Sequence, residues 1–355
     1  MPAALPPEPT PAEYLEHRRS AHIAGTAPSL IAMLGPAFGS AALAAVGVFA
    51  FALLGGTLIG FLGADPNPFF TFALVAAILT FPGVLVFSAV ATRRRLLDRR
   101  LRIDRFAASQ GYAYAEGGTV RFPGIVFAQG GGRTVTEHVR SVAGREVEAG
   151  NYRYTTGNGK SETTHFWSYV AIRLDAPLPH MVLDATSNDT WGSSLPTAIG
   201  RAQRLELEGD FDRSFRLYVP DGYERDALYV FTPDLMALLI DHAAQDDLEI
   251  VDDWMLCYRQ GTADLADRRW WAQLGALTST VADRLADRGE RYRDERVAEN
   301  LRAAEAHFAG VDAPAPRIAT GGRRLRTRLP LPTLLGGIGF VALAAWFWLS
   351  DMFGW

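Results

Sequence analysis

The stretch PNPFFTFALVAAILTFPGVLVFSAVATRRRLLDRRLRIDR, residues 66–105, sets the terms for reading the whole chain. Residues 66–91 hold no charge, and the remainder holds seven arginines and two aspartates. An uncharged run of that length reaches across the ~30 Å hydrocarbon core of a bilayer, which takes about 20 helical residues. Two further runs, 30–63 and 329–350, are equally free of charge. A buried helix of an ordinary globular domain keeps a polar face, and none of these runs carries a charged one. They therefore predict a membrane-anchored α+β protein, with a two-helix transmembrane hairpin over 30–91 and a third transmembrane helix at 329–350. Pro36 interrupts the start of the first run and shifts its crossing helix toward 38–62.

Charge supplies the expected orientation. Arg18 and Arg19 precede the first run, and GADPNP between the first two contains no basic residue. Arg93, Arg94, Arg95, Arg99 and Arg100 follow the second run, and Arg323, Arg324, Arg326 and Arg328 precede the third. Basic flanks stay on the cytoplasmic side during insertion, so the expectation is a multi-pass protein of the cytoplasmic membrane. Its N-terminus and main domain would be cytoplasmic, and residues 351–355 external. Residues 106–322 carry 22 Lys and Arg against 32 Asp and Glu, a net −10. The two arginine groups read as membrane-interface collars, each basic residue worth about 1 kcal/mol against anionic lipid. An acidic body argues against nucleic-acid binding, which needs a basic face. Lys160 is the sole lysine, so arginine is simply the default cation here. Cys257 is the sole cysteine and cannot form an intramolecular disulfide, which suits a reducing compartment.

Residues 1–29 are proline-rich and expected to be disordered, and 92–111 continue as a basic helix closed by Gly111. An α+β domain is expected over 112–262. Period-two patterns mark strands at VRFPGIVFA (120–128), REVEAGNYRYTT (145–156), THFWSYVAIRL (164–174) and HMVLDAT (180–186). RLELEG and DRSFRLYVP form a further pair turning near Gly209 and Asp210. Thr232, Pro233 and Asp234 open a helix, as cap, first helical residue and first-turn acid. The strand LEIVDDWMLCYR follows at 248–259. A helical region is expected over 263–309, striped by Leu274, Thr278, Val281, Leu285 and Tyr292, then by Val297, Leu301, Ala304 and Phe308. The stripes slip phase between Gly289 and Arg296, which predicts a break. Residues 310–328 read as a linker.

Residues 205–258 resemble the bacterial membrane-protein family catalogued as domain of unknown function thirty-one thirty-seven. The likeness rests on Phe211 and Phe215 in an F-x-x-x-F pattern, then Val219, Arg225, Phe231, Thr232, Pro233, Met236 and the strand at 248–258. It implies a membrane-anchored cytoplasmic α+β domain and no reaction, cofactor or catalytic residue.

The tempting motifs dissolve on inspection. GNGKS at 157–161 ends like a phosphate-binding loop, but Tyr154 stands where that loop needs its first glycine, and the flanks read as strands. A hairpin tip explains it. AQGGGR at 128–133 lacks dinucleotide-fingerprint spacing. The seven histidines show no i, i+4 pair, Asp252 and Asp253 would point to opposite faces of a strand, and Ser193 and Ser194 lack an elbow of glycines. Cys257 sits in an apolar strand and reads as core. No catalytic residue, cofactor or metal ligand is assigned, and an enzyme is not the favoured expectation.

No ionisable residue falls in the three runs, which argues against a coupled transporter. GPAFG at 35–39 and GTLIG at 56–60 permit close helix contact. The function expected is a scaffold that presents its acidic domain for protein binding, anchoring or regulation. Its partners would be membrane lipids and a protein partner or a second copy. The alternatives are a membrane-bound enzyme with a site on strand loops, or an accessory subunit of a transporter or envelope complex.

Overall fold

A computed structural model describes residue 10 and residues 68–119, 121–189, 193–207, 210–297 and 317–328. The chain separates into two compact units, Leu5–Phe106 and Met1–Ala4 with Ala107–Trp355. One helix, α1 (Pro68–Ser109), runs 42 residues without interruption through all seven arginines of the opening stretch. Gly111, at φ +80, turns the chain out of it.

The expected membrane architecture requires correction. Among the described residues no helix is long and apolar enough to cross a membrane. The transmembrane hairpin, the C-terminal transmembrane helix and the multi-pass cytoplasmic-membrane location are therefore withdrawn. The described part of the second run, 68–91, is one stretch of the longer, arginine-bearing helix α1. The runs at 30–63 and 329–350 lie outside the described residues, as do the N-terminal segment apart from Thr10 and the second helical stripe beyond Val297.

The antiparallel sheet with helices does stand. Its strands are β1 (Tyr112–Glu116), β2 (Gly131–Ser141), β3 (Val147–Thr156), β4 (Thr163–Ala185), β5 (Ala198–Ile199), β6 (Arg204–Leu205), β7 (Phe215–Tyr218), β8 (Asp247–Gln260) and β9 (Thr327–Arg328). The main sheet runs β1-β2-β3-β4-β7-β6, with β8 on the free side of β4, and β5 pairs β9 apart from it. All pairs are antiparallel. β4 is the spine. Its first half pairs β3, its last residues pair β7, and β8 accompanies both.

Side-chain contacts show that this long β4–β8 ribbon folds back on itself. Arg259 Nε donates to Asp246 Oδ1 at 2.7 Å, and the Tyr258 hydroxyl donates to Glu249 at 2.9 Å. A straight strand rises about 3.3 Å per residue, so residues thirteen apart would stand ~43 Å from each other. The ribbon bends where pairing between Arg173 and Met181 goes irregular, opposite Asp252. Asp252 takes φ +54, alone among the described non-glycine residues, and Pro177 and Pro179 lie on the facing stretch. THFWSYVAIRL and HMVLDAT are thus one continuous strand, bent at the prolines that separated them in the sequence reading.

The core lies inside this bend. Phe127 meets the rings of Tyr152, Tyr169 and Tyr258 edge-on, with centroids 5.0, 5.3 and 5.6 Å away. Residues 121–128 do not form the expected strand. Pro123 and Gly124 turn them into a plug, and Ile125, Val126 and Phe127 are buried. A side chain at Gly124 would overlap the Tyr258 hydroxyl, so only glycine admits the plug so closely.

Helices α2 (Phe211–Ser214), α3 (Glu224–Val230), α4 (Pro233–Ala243), α5 (Arg268–Ala276) and α6 (Ala282–Arg291) complete the unit. Phe211, Phe215 and Phe231 pack together, with centroids 5.2 and 6.5 Å from Phe211, which gives the F-x-x-x-F pattern a structural cause. Thr232 precedes α4 as expected, but its hydroxyl donates to Asp234 rather than capping the helix. Between α5 and α6 the helix widens into a π turn, Leu277–Val281, where Thr278 and Ser279 hydroxyls bond back to the carbonyls of Leu274 and Gly275. Helix α6 ends at Arg291, inside the expected break.

Residues 317–328, part of the expected linker, are a strap bound to the sheet. Leu325 N–H donates to His180 Nδ1, Gln203 exchanges two hydrogen bonds with Arg326, and β9 pairs β5.

Candidate functional site

Closing the bend creates two contacts of different kinds between the halves of β8. The inner one is sealed. Glu249, His180 and Tyr258 are all buried; His180 Nε2 bonds Glu249 Oε1 at 2.7 Å, while Tyr258 O–H and Ile125 N–H reach Oε2 at 2.9 and 2.8 Å. Leu325 N–H donates to His180 Nδ1, so that nitrogen is the acceptor and Nε2 carries the proton toward Glu249. Every polar group in this set is matched within the protein.

The outer contact is open. Asp246, buried just before β8, accepts from Arg259 near its far end and from the Gln273 side chain of α5. Burial raises the Asp246 carboxyl above the usual range, and Arg259 and Gln273 oppose it. Arg259 uses Nε for this bond; its two Nη atoms make no hydrogen bond with another described residue. Arg259, Gln273 and Trp270 line a groove of about 870 Å³ between α4 and α5, rimmed by Asp241, Asp264, Asp267 and Arg269. A smaller recess of about 110 Å³ shares the same three residues and reaches back to Cys257. Burial pushes the Cys257 thiol well up, which suits a core residue and not a nucleophile. The groove gathers an anchored guanidinium, an indole and mixed charge, a set suited to gripping a carboxylate or another planar acceptor.

Next to Asp246, Asp247 takes hydrogen bonds from Ser194, from Ala185 N–H and from Asn188. Burial nevertheless carries its pKa up to about 7. Ser193 and Ser194 thus serve neighbouring acids, Ser193 donating to Asp184 at 2.8 Å, and Arg216 bridges Asp184 and Asp189. Among the described residues no cluster of His, Cys, Asp and Glu is placed to hold a metal ion.

Of the residues singled out as interface collars, Arg93, Arg94, Arg95, Arg99 and Arg100 lie on α1. Arg323, Arg324 and Arg326 belong to the strap: Arg323 bonds Ile318 O, Arg324 makes a two-pronged pair with Asp252 at 2.8 Å, and Arg326 stands 3.4 Å from Asp221. Arg328 lies in β9. Asp253 pairs with Arg173, so the adjacent aspartates go to separate arginines. Sequence reasoning missed Asp246 and Arg259 because only the bend joins them; the Trp-Trp pair at 270–271 was the one available hint.

No family model matches the chain, and no curated protein matches it. The crystal structure of the mycobacterial trehalose monomycolate transport factor A, TtfA, is similar at a TM-score of 0.36 and 12% identity, over 54% of this chain and 93% of that one.

Proposed function

We propose that the α+β unit is a protein-binding module whose groove between α4 and α5 receives a segment of its partner. The observation that supports this is Arg259, positioned by a buried carboxylate through Nε with its Nη atoms bonded to no described residue, beside Trp270. Arginine and tryptophan dominate binding energy where they line a desolvated pocket. A partner carboxylate fits the guanidinium, and flanking basic residues fit the acidic rim of Asp241, Asp264 and Asp267. The module acts by holding, as an anchor or regulator.

A photo-cross-linking amino acid in place of Ala272, on the groove, tests this in the full chain in cells. A discrete protein adduct is expected there, absent when the probe replaces Val142, 71% exposed and outside the groove, and lost in Arg259→Ala. Equal adducts at both positions, or an adduct indifferent to Arg259, overturn the reading.

A further inference from the structure

A second cavity, about 560 Å³, lies between α3 and the chain just past α6, lined in part by Arg225, Tyr229, Arg291 and Arg293. Its inner wall is closed on itself. Arg296 binds Asp226 at 2.9 Å and Asp294 at 3.2 Å, the Tyr292 hydroxyl donates to Asp226 at 2.6 Å, and the Tyr223 hydroxyl donates to Asp294 at 2.8 Å. Those bonds engage Asp226 on the wall and Asp294 behind it. The residues that line the cavity, Arg225, Arg291, Arg293 and Arg296 against Asp226 and Glu295, sum to +2 within a stretch of chain that sums to −10.

Ordinary helix electrostatics explains part of this. Arg291 stands in the last turn of α6, where the helix dipole favours a cation. Arg225 has no such account. It lies in the first turn of α3, the end where the dipole disfavours a cation, and it pairs with no described residue. Arg293 is held in place by the main-chain oxygens of Glu290 and Tyr292, each 2.8 Å from Nη1. Tyr229, 37% exposed, lies on the same cavity, with the Arg288 guanidinium 5.8 Å from its ring centroid and the Tyr292 ring 6.1 Å away.

We infer that this cavity binds a phosphomonoester, its dianion held by Arg225, Arg291 and Arg293 and its organic part laid against Tyr229. The charge of the ligand matches the +2 of the cavity, and guanidinium forks suit phosphate oxygens. The site is separate from the groove, and its test is independent of that reading.

Calorimetric titration of the full chain with phenyl phosphate and phenyl sulfate tests the inference, alongside co-sedimentation with vesicles carrying phosphatidic acid. Phenyl phosphate is expected to bind at least about tenfold tighter than the singly charged sulfate, and Arg225→Gln with Arg291→Gln to lose at least about tenfold. Neither arginine pairs with a described residue and their helix-dipole effects have opposite signs, so the double variant is expected to keep its unfolding midpoint, which separates loss of binding from loss of fold. Sulfate binding as tight as phosphate, binding unchanged in the double variant, or binding of neither phosphate probe overturns the inference. Retention on vesicles without binding of phenyl phosphate, lost in the double variant, assigns the phosphate to a lipid head group and sustains the site.

Discussion

The two contacts that close β8 on itself differ in what they leave unsatisfied. Around Glu249 every donor and acceptor has a partner and none reaches solvent, so the contact does nothing but hold the bend. Around Asp246 the same kind of contact, a side chain reaching across the fold of one strand, leaves the end of Arg259 at a groove, bonded to no other described residue. The lesson is that a buried acid can act in two ways: enclosed, it fixes a fold, and at a rim, it aims a cation outward.

Substitutions can break that contrast. The largest effect is expected at Glu249. Glu249→Ala strands His180, Tyr258 and Ile125 N–H without their acceptor, and urea unfolding is expected to show a loss of about 3–5 kcal/mol. A loss below about 1 kcal/mol would mean that the inner contact is not what holds the bend.

The next effect is read in pH. Asp247 has a folded pKa of about 7 against an ordinary 3.8, so the folded state holds its proton more tightly than the unfolded chain does. That contribution is complete below about pH 4 and is lost as pH rises through about 7, by up to about 4 kcal/mol. Asp184 and Asp246 are raised too and push the same way, whereas Asp234, Asp252 and Asp294 are lowered and act toward the acid end. Burial lowers His138, which opposes the trend in part as pH rises through its range; unfolding free energy measured from pH 5 to 8 is expected to fall, and Asp247→Asn to flatten the slope.

Arg259→Ala sharpens the comparison from the other side. Its side chain is 38% exposed while Asp246 is buried, so stability is expected to drop by about 1–2 kcal/mol while partner capture at the groove disappears. A variant that unfolds as readily as Glu249→Ala would make the outer contact structural after all. Smallest of all is Arg324→Ala at the bend, where both members of the pair are about half exposed; a loss below about 1 kcal/mol is expected in the same denaturation assay.

Much of the local structure was legible. The Thr232–Pro233 start of α4, the hairpin tip at Gly157, the break before Arg296 and a buried Cys257 all follow from short-range rules that act within a few residues. The site was not legible, because Asp246 and Arg259 look like residues at opposite ends of a strand until the bend joins them. Pro177 and Pro179 marked the place but read as a gap between two strands. The plug at 121–128 misled for a related reason: its period-two pattern was real, yet Gly124 and Glu249 route it into the core instead of into a ladder. Apolar run length misled most: uncharged length was taken for membrane crossing, and among the described residues no helix is long and apolar enough to cross.

The strap carries a consequence in time. His180 and the amide of Leu325 that completes its hydrogen bonding are 145 residues apart. At synthesis rates of about 5–20 residues per second, that histidine waits roughly 7–30 s for its last partner. Until residue 325 is made, His180 Nδ1 lacks the donor that the strap supplies, so the hydrogen bonding around Glu249 is completed only by the last described stretch of the chain.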